Sequence, residues 1–160
     1  MTDNSFPARI RLGMVGGGND AFIGGVHRIA SRIDDRYELL AGALSSTAEK
    51  SQSSGEAIGL PRIYDDFKTM ATEEAKLKDG IEAVSIVTPN NVHFAAASEF
   101  LKHGIHVICD KPLTSTLEMQ KSLQKSQNKA MLCLSLLTTT LAIPWCVMLG
   151  RWLRMVPLVK

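Results

Sequence analysis

The chain has 160 residues, enough for one domain with a proper core. Its formal net charge of +2 points to neither nucleic acid nor a membrane surface as a partner. The three cysteines, Cys109, Cys133 and Cys146, lack metal-binding spacing and suggest a reducing compartment rather than a disulfide framework. The N-terminus, MTDNSFPARIRLG, has neither the basic start nor the apolar run of a signal peptide, so a cytoplasmic protein is expected.

Arg9 to Val15 predicts a short buried strand, followed at once by Gly16-Gly17-Gly18. Ala21 to Ile33 has apolar residues at helical spacing (Phe22, Val26, Ile29, Ala30, Ile33). Tyr37 to Leu44 is a second apolar run of strand length, and Thr47 to Ile58 a polar helix candidate. Asp65 to Lys78 predicts another helix, capped by Asp65 or Asp66. Ala83 to Val87 is a buried strand closed by Thr88-Pro89-Asn90. A helix over Val92 to Lys102 then ends at His103-Gly104 with a glycine C-cap. Ile105 to Cys109 is a strand followed by Asp110-Lys111-Pro112, and Thr114 or Ser115 caps a last helix to about Lys125. Strands that are continuous apolar runs, alternating with helices, imply an α/β fold with a parallel sheet covered on both faces. Ligands of such sheets bind at the carboxyl ends of the strands, where the loops 16–20, 88–91 and 110–112 fall.

Gly16-Gly17-Gly18-Asn19-Asp20-Ala21 matches G-x-G-x-x-[GA] between a strand and a helix. On this pattern Gly16 permits a tight turn, Gly18 lets a pyrophosphate approach the backbone, and Ala21 lets the helix pack closely on the strand. The phosphates would meet a helix N-terminus, whose free N–H groups and dipole favour anions. A glycine cluster can also be a plain turn. The end of the second strand bears on NAD against NADP, because NAD enzymes usually place Asp or Glu there. Here it reads Ala43-Leu44-Ser45-Ser46, with Lys50 nearby and no acid before Glu49. Hydroxyls and a lysine suit a 2′-phosphate, which tilts the expectation towards NADP. The same serines could equally cap the next helix.

With these residues the chain resembles the Gfo/Idh/MocA oxidoreductases over roughly Arg9 to Lys125. The resemblance rests on the glycine loop in VGGGNDAF, on TPNNVH (Thr88 to His93) and on CDKP (Cys109 to Pro112). CDKP looks like the family's E-K-P motif, with Asp110 in place of the glutamate. The resemblance implies a Rossmann-type doubly wound sheet that binds NAD(P). The implied cofactor contacts are Gly16, Gly18, Asn19, Ala21, Phe22, Ser45, Ser46, Lys50, Thr88, Pro89, Asn90, His93, Lys111 and Pro112. It also implies that Lys111 is catalytic, hydrogen-bonding a substrate hydroxyl and favouring its alkoxide as hydride leaves. Without the family, Lys111 would read as an exposed loop lysine. The implied substrate of the full-length parent is a small polyol or sugar. The family's second, substrate domain, with its acid/base histidine and most of its oligomer interface, is missing from this chain. His27, His93, His103 and His106 are too scattered for a metal site, and none is expected. His27 reads as a packed or surface histidine, and His93 as a cofactor-loop residue rather than a general base.

Composition changes near Lys125, which divides the chain into a nucleotide-binding domain, 1–125, and an aberrant apolar tail, 126–160. Acidic residues stop at Glu118, and Met131 to Leu149 carries no charge. One reading makes 131–149 a transmembrane helix, which would give a non-catalytic nucleotide-binding module anchored to a membrane. The run Thr138-Thr139-Thr140 and Pro144 weaken it. A buried terminal helix would need a polar face that is not there. A shifted reading frame is the explanation the residues support best. Codons for Leu136 to Cys146, read one base back, can encode THNYTGYPMV, and those through Lys160 can continue RHAREMVANGALGK. The step across Trp145 and Cys146 is forced to valine. The restored peptide resembles what should follow in the family. Hence this chain is expected to be inactive, to lack its closing strand and to expose an apolar surface prone to aggregation.

Overall fold

The computed structural model describes residues 8–33, 35–112, 114, 116, 118–119, 121–122 and 134–137. In chain order the elements are β1 (Ile10–Gly16), α1 (Phe22–Arg32), β2 (Tyr37–Ala43), α2 (Ala48–Ala57), β3 (Arg62–Ile63), α3 (Phe67–Glu74), β4 (Ala83–Val87), α4 (Asn90–Lys102), β5 (His106–Asp110) and β6 (Leu134–Leu137). The strands form one sheet in the order β3-β2-β1-β4-β5-β6, and every neighbouring pair is parallel. Parallel strands need crossover connections, and helices supply them. This is the doubly wound α/β fold expected from sequence.

Alternation along the strands divides the core between two faces. Val15, Ala41, Val84, Ile86, Val107 and Cys109 pack with Met70 and Ala71 of α3 and Phe100 of α4. Ile10, Leu12 and Tyr37 pack on the other face with Ala30 of α1. The buried side of α2 is made instead of Ser51, Ser54 and Gly55. Ser51 Oγ accepts the Leu44 N–H at 2.9 Å and donates to the Tyr64 carbonyl at 2.7 Å, which fixes the chain where β2 ends.

Two helices differ in extent from the sequence expectation. Of the two expected caps for α3, Asp66 is the one used: its carboxylate accepts the N–H groups of Lys68 and Thr69. The helix stops at Glu74, short of Lys78, because the chain turns back to place the Ile81 N–H on the Glu74 carboxylate at 3.0 Å. Helix α4 begins at Asn90 rather than Val92, with Pro89 as its N-cap, so part of the Thr88–Asn91 loop is helical. Proline before the first turn is pre-organised for that entry and sacrifices no helical N–H bond. Beyond β5, where Thr114 or Ser115 was expected to cap a last helix, Thr116 Oγ1 accepts the Met119 N–H at 3.3 Å. Ser115 lies outside the described residues.

The expectation that the sheet lacks a closing strand is corrected. Leu134–Leu137 lies parallel to β5, pairing Val107 with Leu134 through Asp110 with Leu137. An open parallel edge offers its N–H and C=O groups to any short apolar segment in reach, so edge pairing does not depend on particular side chains. The same residues cannot belong to a transmembrane helix over 131–149; the rest of that span lies outside the described residues. Among the described residues no helix is long and apolar enough to cross a membrane.

Glu74 is the polar hub of the fold. Its side chain is fully buried and accepts Arg62 Nε at 2.7 Å, Arg62 Nη2 at 3.0 Å and the Tyr64 hydroxyl at 2.8 Å. Burial, and then the bond to Glu74, push the Tyr64 phenol up to about 12. Glu74→Ala leaves those donors unpaired and is expected to cost about 3 kcal/mol of stability, read as a lower urea midpoint at unchanged m-value. A pH effect is also expected. His27 is buried with Nδ1 2.9 Å from Ser85 Oγ, and burial lowers its pKa more than Asp110 raises it. His106 is lowered in the same way, burial outweighing Glu82. The unfolded chain therefore takes up these protons first. Stability is full above the unfolded value of about 6.5 and is lost as pH falls through it towards the lower folded values. A thermal midpoint that stays flat from one unit above that pH to one unit below would count against this assignment.

Candidate functional site

Connections leave β1 and β4 in opposite directions, β1 towards β2 and β4 towards β5. Adjacent strands whose crossovers diverge leave a crevice beyond their carboxyl ends. The cleft found there has a volume of about 830 Å³, the size of a small-molecule site. Its walls are the glycine loop from Gly16 to Ala21, the end of β2, one side of α2, the start of α3 and the segment after β4.

Gly16 and Gly17 have φ of 79° and 74°, where only glycine is unstrained. The close packing of helix on strand is made by Gly24 rather than by Ala21: a Cβ on Gly24 would overlap the Gly17 backbone. Ala21 is instead the N-cap of α1, and its N–H donates to the Gly18 carbonyl at 2.9 Å. Gly18 is glycine for a reason internal to the protein. A Cβ there would lie 2.8 Å from Ser54 Oγ and 2.9 Å from the Leu44 carbonyl. The Gly18 N–H donates to that same carbonyl at 3.2 Å, and the Asn19 N–H donates to Ser54 Oγ at 3.2 Å. The N-terminus of α1 is what remains for an anion, having no side-chain cap and no acidic residue in its first turn. Arg28 steadies the loop from the helix side, donating Nη1 to the Gly17 carbonyl at 2.7 Å.

At the end of β2, Ser45, Ser46 and Lys50 all line the cleft. Neither serine caps α2: its N-cap is Thr47, without a side-chain bond, and Ser45 Oγ only reaches the Thr47 N–H at 3.5 Å. The cleft also receives Asp65 and Asp66 from the start of α3, acids that an inspection of β2 alone does not meet. Asp66 is engaged as the α3 cap, and Asp65 is exposed.

Thr88 and Pro89 line the opposite wall, with Asn91 beside them in place of the expected Asn90. The Thr88 hydroxyl is, among the described residues, the one buried side-chain polar atom without a hydrogen-bond partner. Such an orphan costs stability unless a ligand or water completes it. Open helix N–H groups, serine hydroxyls and a lysine form a donor set that fits a phosphate and ribose ligand. Phe22, Asn90, His93, Lys111 and Pro112 do not line the cleft. Phe22 is 86% exposed and starts α1, while Asn90 starts α4. Lys111 and Pro112 are exposed and follow directly on β5. His93 is buried, with Nδ1 2.7 Å from the Pro112 carbonyl and Nε2 2.8 Å from the Thr88 carbonyl.

Ser54 escaped the sequence expectation although it touches the glycine loop. Its signal was available: Ser51, Ser54 and Gly55 share one side of a helix that otherwise has little apolar content. Among the described residues no group of three or more His, Cys, Asp or Glu side chains could hold a metal ion.

Comparison with known proteins bears on this cleft directly. The family profile for the Gfo/Idh/MocA proteins, described as an oxidoreductase family with an NAD-binding Rossmann fold, matches residues 10–137. A Bacillus subtilis (strain 168) protein, the uncharacterised oxidoreductase YfiI, is 44% identical over 110 residues, which are 67% of this chain and 28% of that protein. The crystal structure of an oxidoreductase from Sinorhizobium meliloti is 67% identical with a TM-score of 0.77, over 81% of this chain and 36% of that one. An inositol dehydrogenase homologue from Azotobacter vinelandii, solved with NADH and myo-inositol, is 38% identical with a TM-score of 0.78, over 80% of this chain and 34% of that one. This chain thus spans about a third of the length of these relatives. The chain belongs to the Gfo/Idh/MocA oxidoreductases and carries the NAD-binding Rossmann domain of that family.

Proposed function

We propose that the cleft binds a nicotinamide dinucleotide. We further propose that the parent protein moves a hydride between the nicotinamide and a hydroxyl-bearing carbon of a sugar or cyclitol. The observation that carries this is the convergence of the open α1 N-terminus, the end of β2 and the Thr88-Pro89 wall on one crevice. The pyrophosphate lies at the first turn of α1, where N–H groups need a partner. Ser45, Ser46 and Lys50 take the adenosine ribose, and Lys50 accepts a 2′-phosphate in preference to a bare hydroxyl. When bound, the cofactor supplies the hydride acceptor or donor. Lys111, on the loop after β5, holds the substrate oxygen and steadies its negative charge as hydride leaves the carbon. The polyol class is supported by the myo-inositol bound in the Azotobacter vinelandii homologue. A cytoplasmic setting is in keeping with Cys109, a free thiol that burial pushes up to about 12.

Calorimetry on the 160-residue chain tests the cofactor choice. NADPH is expected to bind more tightly than NADH. Lys50→Ala should remove most of that preference, a loss of about tenfold for NADPH with NADH little changed. Tighter NADH binding in the wild type would reverse the assignment and direct attention to Asp65.

We also propose that 1–125 is the inherited domain and that 126–160 is read from a neighbouring frame, so that this polypeptide binds cofactor but does not turn over polyols. What supports this is the family-like peptide encoded one base back. Sequencing the gene onward from the codon of Lys111 should find that frame open after Lys125 for roughly 150 codons, a second domain of ordinary size. Early closure of that frame, or polyol turnover by the purified chain, would overturn it.

A further inference from the structure

His93 stands on the first turn of α4, is 1% exposed and does not line the cleft. Both ring nitrogens face main-chain carbonyls on two different loops: Thr88, just after β4, and Pro112, just after β5. Carbonyl oxygens only accept. A neutral ring therefore satisfies one of them, and a doubly protonated ring satisfies both. Thr88 lines the cleft, and its own hydroxyl is buried without a partner. Lys111 immediately precedes Pro112, and its own N–H donates to Asp110 Oδ1 at 2.8 Å. The Lys111 main chain is thus held on one side by Asp110 and on the other by His93, and its exposed side chain is the free part of the loop.

We propose that His93 is a positioning residue: its imidazole ties the Thr88 and Pro112 main chains together, and so sets Lys111 against the nicotinamide end of the cleft. This deepens the dinucleotide reading and rests on it. It replaces the direct cofactor contact expected of His93. Both nitrogens face carbonyls, 2.7 and 2.8 Å away, so neither is turned towards the cofactor, and the ring ties both main chains when both nitrogens carry protons. The glycine-loop end of the cleft, which takes the adenosine and phosphates, has no part in the tie.

The test compares two probes on the 160-residue chain. NADH carries the nicotinamide, and ADP-ribose is the same molecule without it. His93→Ala should weaken NADH by about tenfold, because the loops that meet the nicotinamide are no longer held in place. It should also remove the change in nicotinamide emission on binding, while ADP-ribose affinity holds within about twofold. His93→Gln, whose amide has two N–H donors on one nitrogen, should recover part of the NADH affinity. Equal losses for both probes would mean general damage and overturn the proposal, as would no loss for either. Should the wild-type chain bind neither probe, the dinucleotide reading fails on its own account. Hydrogen exchange of the ligand-free chain then decides the tie. His93→Ala should speed exchange in residues 88–91 and at Lys111 together and leave β1 and β2 unchanged. Unaltered exchange at Lys111 would refute the role.

Discussion

The contact on which the site depends is the meeting of Gly17 with Gly24. Helix α1 must lie flat on the sheet and still aim its N-terminus into the crevice between β1 and β4. Any side chain at Gly24 would fill the space occupied by the Gly17 backbone. Lifting α1 by the width of a methyl group would move its open N–H groups from the cleft and loosen the packing of Ala30 over Ile10 and Leu12. Positive φ at Gly16 and Gly17 then lets the chain turn sharply enough to bring this helix back over the strand it has just left. Fold and binding geometry here share one steric requirement.

A second layer of constraint is polar and comes from side chains that bond the main chain around the cleft, Ser54 among its lining residues. Ser51 and Ser54 of α2 hold, respectively, the end of β2 and the glycine loop. Arg28 fixes the Gly17 carbonyl from the other side. Glu74 gathers Arg62, Tyr64 and the Ile81 N–H ahead of β4 around one buried carboxylate, which keeps the short strand β3 against the sheet. Each bond is modest in net value, but an unpaired member of a buried group is expensive. These groups therefore specify a single arrangement of the loops rather than adding greatly to stability.

Much of this was legible in the residues. The strands at 10–16, 37–43, 83–87 and 106–110 are short apolar runs, and local burial decides them. The glycine loop, Ser45, Ser46, Lys50, Thr88 and Pro89 reach the cleft as their strand-end positions imply. What escaped were side chains whose partners are remote in sequence. Ser54 meets Asn19 across 35 residues, and Asp65 enters the cleft from the turn ahead of α3, far from the glycine loop in sequence. Gly18 looked like room for a ligand and is room for Ser54 and Leu44. His93 looked like a cofactor contact and is bound to two main chains.

The sequence by itself determined the four central strands and the helices between them, the parallel sheet and the strand ends at which a ligand can sit, because apolar periodicity and glycine placement act over a few residues. Tertiary structure alone decided which hydroxyl is left unpaired, which glycine admits the helix, and that Leu134–Leu137 completes the sheet beside β5. Those outcomes depend on what lies across a crevice or along a strand edge, and distance along the chain carries no record of that.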